Sequence, residues 1–307
     1  MYTKKTVVLA KIETVSGTDS VPTAADNAIM AFDASITVKA DMKERGPGNA
    51  DRSLYPEIRA KTVVELKFSV ELKGSGTAGT APRFGALLRA CDRAQTIVSS
   101  TSVTYAPATT SETVSIYVNI DGIYHKVLGC AGDVEIDLTA AEKGMINFTF
   151  TGVYQLPTDV TCPTPTFDST NPLMVKGITY TFGSYAAIIE KLMLKFGNKV
   201  VERTDFNQAE AVLAFMVTDR KPEGTMTLEA VLRATSNADF WDYFHSRTAK
   251  ALSFVQGATA GNIVTITAPV CYLRAPEYGD RDGLRVFDVA FQMARSSGND
   301  EMSIAFT

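Results

Sequence analysis

Residues 132–152 read GDVEIDLTAAEKGMINFTFTG, two runs of strict alternation on either side of a turn. Val134, Ile136 and Leu138 project one way, and Asp133, Glu135 and Asp137 the other. After the turn, Ile146, Phe148 and Phe150 share a face opposite Asn147, Thr149 and Thr151. Side chains in a strand alternate with period two, so the stretch predicts a hairpin with one buried and one polar face. What a face of carboxylates followed by Asn and Thr is for becomes the question for the rest of the chain.

The chain has 307 residues, long enough for two domains with cores of their own. Hydrophobic residues make up 45% and charged ones 21%, a globular balance. Thirty basic against 34 acidic residues, with no basic run, argue against an electrostatic binder of nucleic acid. Cys91, Cys130, Cys162 and Cys271 are widely separated and form no CxxC, so zinc and redox motifs fail on spacing. Small core thiols in a reducing cytoplasm are expected instead. The apolar run in MYTKKTVVLAKIETVSG is too short for a signal peptide, and no stretch approaches the ~20 apolar residues of a membrane helix. The expectation is cytoplasmic folding without a membrane.

Four of the twelve prolines, Pro157, Pro163, Pro165 and Pro172, fall in a stretch without periodicity. Such a segment reads as a linker, placed at 157–176 between a first domain, 1–156, and a second, 177–307. The two halves repeat an order of elements: strand, long loop, strand, single helix, strands, hairpin. In KTVVELKFSVELKG (61–74), Val64, Leu66, Phe68, Val70 and Leu72 face in, while Glu65, Lys67, Ser69, Glu71 and Lys73 face out. The counterpart EGTMTLEAVLRA (223–234) alternates in the same way. Helices are predicted in APRFGALLRACDRA and, capped by Ser236 or Asn237, in SNADFWDYFHSRTA, with Phe240, Trp241 and Phe244 on one side. Residues 186–205 and 209–220 predict one long pair of strands, and Phe287, Val289 and Phe291 mirror Ile146, Phe148 and Phe150. Two mainly β domains, each a sandwich or barrel with one flanking helix, are the predicted fold.

Catalytic ingredients are sparse. His125 lies in an alternating strand and His245 near a helix end, both with ordinary surface or packing roles. GxSxG, HExxH, Walker A and Rossmann patterns are missing from the sequence. Asp133, Glu135 and Asp137 project side by side and lack the loop of a calcium site, and Asp280 and Asp282 read as a charged turn. No catalytic, cofactor-binding or metal-ligating residue is assigned. Long strands with polar faces and open edges invite pairing with another copy, which points to assembly.

The ending HKVLGCAGDVEIDLTAAEKGMINFTFTGVYQLP resembles the closing motif of phage major tail tube proteins, with a Gly-rich turn, an acidic strand and an alternating Phe strand ending in Gly. The step from VVELKFSVELKG to APRFGALLRACD is similar to that family's strand and helix. The second half matches by element order. The resemblance implies a structural virion protein, not an enzyme. Its strands join those of neighbouring copies around a channel, and its rings stack into the tube through which DNA enters the host. A tandem copy implies a pseudo-hexameric ring of three chains. Tail terminator, tail tip or baseplate and tape measure proteins are the implied partners, with assembly in the host cytoplasm and no cofactor. Another virion β-domain protein, such as a terminator, baseplate hub or decoration protein, is the alternative.

Under this resemblance the loop Met42 to Glu57, with Glu44, Arg45, Gly46, Pro47, Gly48 and Asn49, stacks one ring on the next, ordering on assembly. Lumen-facing or interdomain side chains are expected on strands 29–41, 61–73, 186–205 and 211–220, with Glu65, Lys67, Ser69, Glu71, Lys191 and Lys195 as candidates. A passage for DNA should not grip phosphate, which suits a lumen of net negative or neutral character, although Lys67, Lys191 and Lys195 argue against an all-acidic lining.

Overall fold

A computed structural model describes residue 2 and residues 4–307; Met1 and Thr3 of the N-terminal stretch lie outside the described residues. Along the first half run β1 (Thr6–Ile12), β2 (Ala28–Ile29), β3 (Phe32–Lys43) and β4 (Ile58–Glu71). Helix α1 (Gly85–Ala90) precedes β5 (Arg93–Val98), β6 (Ser102–Pro107), β7 (Val114–Ile120), β8 (Ile123–Thr139) and β9 (Met145–Tyr154). The proline-rich segment holds β10 (Thr158–Asp159), which pairs with the start of β8. The second half has β11 (Thr179–Phe182), β12 (Ile189–Lys195), β13 (Asn198–Thr204), β14 (Val212–Arg220) and β15 (Glu223–Glu229). Helix α2 (Phe240–His245), β16 (Lys250–Gln256), β17 (Val264–Leu273), β18 (Glu277–Arg281), β19 (Leu284–Met293) and β20 (Ser303–Phe306) complete it.

One layer is an antiparallel sheet of eight strands in the order β3, β4, β9, β8, β12, β15, β19, β18. It draws four strands from each half and joins them at β8 and β12. A second layer packs on it. In that layer β2, β1 and β7 run into the first part of β8, while β5, β6, β20, β17, β16 and β11 form a further run. Strand β20 lies between β6 of the first half and β17 of the second, so both layers cross from half to half.

The alternation of the hairpin decides which face is buried. Val134, Ile136, Ile146, Phe148 and Phe150 are at most 1% exposed, and Leu66, Phe68, Leu192, Leu194 and Phe291 continue the same apolar layer. Phe68, Phe148 and Phe150 have ring centroids 5.7–6.1 Å apart. Burying each such side chain contributes about 1.5–3 kcal/mol, which outweighs any turn propensity in fixing the register. Helix α1 places Leu87 and Leu88 in this core.

Several expectations need correction. The alternating strand that holds His125 and the first strand of the hairpin 132–152 are one strand, β8, with a bulge between Leu128 and Ala131. Gly129 sits there at φ +58, and a Cβ on it would meet Ala214 at 2.8 Å. The predicted long strand 186–205 breaks at Gly197, whose φ is +64 and whose side-chain direction is filled by the Lys221 carbonyl. The chain leaves the large sheet at that glycine, and β13 and β14 form a hairpin of their own. Helix α1 is shorter than predicted because β5 begins at Arg93. Helix α2 is capped by Asp239, which accepts the Asp242 N–H at 2.9 Å, and not by Ser236 or Asn237. Its buried side chains are Phe240 and Tyr243, one turn apart, and Phe244 is exposed. Cys91, Cys130 and Cys271 are buried, but Cys162 is half-buried in the proline-rich segment.

Candidate assembly surface

The outward face of the eight-stranded sheet gathers most of the polar residues singled out in the sequence. Alternation brings Glu65, Lys67 and Ser69 of β4 onto it beside Asn147 and Thr149 of β9, Glu135 and Asp137 of β8, and Lys191 and Lys195 of β12. The acidic strand meets the lysine strand directly. Lys195 Nζ is 3.0 Å from a Glu135 oxygen and Lys191 Nζ is 3.4 Å from Asp137. Glu65 binds Lys67 at 2.9 Å and also pairs with Lys39 of β3. The Ser69 hydroxyl donates to Asn147 Oδ1 at 2.6 Å, and the Thr227 hydroxyl donates to Asp288 Oδ1 at 2.6 Å. At the far edge Arg281 bridges Glu190 and Glu229, at 2.9 and 3.2 Å.

These contacts shape the electrostatics. Hydrogen bonds from Lys39 and Lys67 hold the Glu65 carboxyl below the usual carboxylate range, and the hydrogen bond to Glu135 raises Lys195. Lys67, Lys191 and Lys195 each have a carboxylate partner, so none presents an unmatched charge to solvent. Exposed pairs of this kind contribute ~0.2–1 kcal/mol each. Their effect on this face is to cancel charge and to prescribe which strands lie side by side.

Glu71 of the expected set and Asp133 of the acidic strand stand apart. Glu71 is on the same strand face but is 8% exposed, with its carboxylate 3.0 Å from Lys143 and 3.9 Å from Lys73. The turn 140–144 covers that end of β4, which alternation alone does not reveal, and Lys73 is buried with it, donating to the Thr170 carbonyl at 2.7 Å. Asp133 is the other departure within the acidic strand. Burial pushes its carboxyl up, and the Asn198 N–H donates to it at 3.0 Å.

The hairpin β13–β14, expected to pair within the long strands, covers one end of the polar face. Val212, Phe215 and Val217 pack on Ala131 and Val153, with Val63 and Val200 beside them. Lys61 binds Glu202 at 2.5 Å and Arg59 binds Glu210 at 3.0 Å around this patch. Half-buried Arg220 reaches back to the buried Asp92 at 2.7 Å. In the sequence the signal for this docking was the break at Gly197 together with the apolar run of β14.

The segment 44–57 forms no helix or strand, and every residue in it is exposed. Glu44, Arg45, Gly46, Pro47, Gly48 and Asn49 belong to it. Contacts within it include the Asn49 amide on Asp51 at 3.0 Å and Arg45 over the Tyr55 ring at 5.9 Å. Leu54 at its far side is 98% exposed. The segment leaves the sheet at the end of β3 and returns at the start of β4, the same end that the hairpin β13–β14 covers.

Two edges frame the surface. Among the described residues β3 pairs only with β4, and β18 only with β19. Among the same residues, no group of three or more His, Cys, Asp or Glu side chains is arranged to hold a metal ion. A family model described as phage tail tube protein matches residues 3–293. No curated protein sequence matches the chain.

Proposed function

The chain belongs to the phage tail tube protein family, and from that premise we propose that it builds the tail tube by closing its eight-stranded sheet with those of two further copies. The observation that carries the proposal is a sheet continuous through both halves of the chain whose two outer edges have no further strand partner among the described residues. A free strand twelve residues long is a template for pairing that folded proteins normally cover. All eight strands alternate in sense, so the two edges run in opposite directions and suit an antiparallel joint between copies.

Three chains give twenty-four strands. With strands ~4.8 Å apart and tilted about 35°, such a barrel is about 45 Å across at the backbone, against about 30 Å for two chains. Once side chains are seated inside, only the larger leaves room for a double helix. Each chain then acts as a pair of tandem tail tube domains, 1–156 and 177–307, and the ring is pseudo-hexameric. Glu65, Lys67, Ser69, Lys191 and Lys195 line the channel or the joint between domains. Their mutual pairing supports passage of DNA and of a tape measure protein without capture, because paired lysines release few counterions from phosphate.

The exposed segment 44–57, carrying Glu44 to Asn49, reaches the adjacent ring and orders there. Tail terminator and tail tip proteins close the ends of a tube assembled in the host cytoplasm. The role is structural, in the tail of the virion. Negative-stain electron microscopy of the purified chain tests it: hollow cylinders of uniform width are expected, and a protein that stays monomeric at every concentration refutes the reading.

A further inference from the structure

The two halves repeat their strand registers closely enough to specify the joint between copies, on the premise of the proposed closure. Ile36 of β3 faces Leu66 of β4, and Leu194 of β12 faces Gly224 of β15. One and the same sequence offset relates Ile36 to Leu194, Leu66 to Gly224 and Val70 to Leu228. In the first half Val70 faces Ile146, which faces Ile136 of β8. In the second, Leu228 faces Phe287, which faces Tyr278 of β18. So β12 is the counterpart of β3, and Tyr278 is the counterpart of Ile136. Within the chain Ile136 lies opposite Leu194. Both partners of that joint therefore recur at the free edges, Tyr278 on β18 and Ile36 on β3.

We propose that β18 of one copy pairs antiparallel with β3 of the next in the register of the internal joint. Tyr278 lies opposite Ile36, Glu277 opposite Thr37, and Gly279 opposite Ser35. Burial supports this. Ile136 and Leu194 are 0% exposed at the internal joint, whereas Tyr278 is 61% exposed and Ile36 half-buried. Pairing covers both with the layer that their counterparts already complete. Charge supports it too, since the register brings Asp33 level with Arg281, where the internal joint has Lys191 opposite Thr139.

Stagger gives an independent check. Ile36, Leu66, Phe150 and Gly132 lie opposite one another in turn across four strands. Ile136, four residues beyond Gly132 on β8, is the residue that faces Leu194, the counterpart of Ile36. Crossing four strands thus advances the register by four residues, a strand tilt of about 35°, which a closed barrel requires. Repeating the internal register at the β18–β3 joint keeps that tilt constant around the ring.

The test is disulfide trapping in a Cys162→Ser background with Thr37→Cys and Glu277→Cys together. Mild oxidation of assembled protein should link chains into covalent dimers and trimers at least tenfold faster than in the slipped pair Lys39→Cys with Glu277→Cys. Glu135→Cys with Lys195→Cys, the internal equivalent, should close without linking chains. Hydrogen exchange on the unsubstituted protein needs no variant: within 33–39 and 277–281, the amides that point away from β4 and β19 should exchange freely in dissociated subunits and be protected in tubes. Tubes in which the slipped pair links faster, or in which both edges stay unprotected, overturn this register and leave the tube reading standing. A native chain that never assembles overturns both.

Discussion

Lys195 and Glu135, sixty residues apart in sequence, approach to 3.0 Å where the two halves of the chain share a sheet. Directly behind them Ile136 and Leu194 are wholly buried. The ion pair is half-exposed and the apolar pair is not, so their energetic weights differ by several-fold. A double-mutant cycle on Lys195 and Glu135, read by urea unfolding, should give a coupling of about 0.2–1 kcal/mol. Leu194→Ala should cost about 2–5 kcal/mol. A coupling larger than the cost of the leucine would reverse this assignment of the joint's stability.

Glu13 pins the bulge that lets β8 turn from one layer into the other. Its carboxylate is 6% exposed and accepts from Gly17 N–H at 2.7 Å, Gly129 N–H at 2.8 Å, and the hydroxyls of Thr113 and Ser115 at 2.6 and 2.8 Å. Four donors converge on one acceptor group, and an amide in its place offers a donor to donors. Glu13→Gln should therefore lose about 1–3 kcal/mol of stability by denaturant titration, with Ser115→Ala milder. A neutral Glu13→Gln would show that the bulge holds without its carboxylate.

How much of this was legible beforehand differs from element to element. The hairpin 132–152 and the strand around Leu66 were readable because period-two alternation is a local signal and one face is fully apolar. Glu71 was misjudged because its burial comes from the turn 140–144, a contact remote in sequence. The hairpin β13–β14 was misplaced for a similar reason. Alternation in 198–220 says that a face is buried, but not that Val63, Ala131 and Val153 bury it. The polar face itself was legible as residues, whereas the pairing of its acidic strand with lysines from the other half depends on a junction no local pattern encodes.

The thiols separate by location. Burial raises Cys91 and Cys130 and pushes Cys271 up to about 12, while Cys162 sits half-buried in the proline-rich segment. Thiolate is the reactive form, so a colorimetric thiol reagent at neutral pH should modify Cys162 first and the other three only on unfolding. Peptide mapping after a short exposure checks this. Early labelling of Cys91 would show that the core opens far more readily than its packing implies.

Acid should weaken the fold through carboxylates held in their charged form. Burial alone would push Asp19 up, but the Tyr117 hydroxyl, the Val21 N–H at 2.9 Å and Lys126 at 3.1 Å together hold it below the usual range. Glu65 is held down by Lys39 and Lys67. A folded value below the unfolded one means that the unfolded chain takes up the proton first as pH falls. The stabilisation is thus complete above the unfolded value of about 4 and drains away as pH drops through it toward the lower folded value. Urea midpoints of the native chain should fall between pH 6 and pH 3. Asp19→Asn should start lower at pH 6 and lose less over the same interval, because the group whose proton uptake drives part of the slope is gone. Identical slopes for the two proteins would remove Asp19 from the acid response and leave it to Glu65 and the other carboxylates held below their usual range, Asp121, Asp205, Asp239 and Asp300.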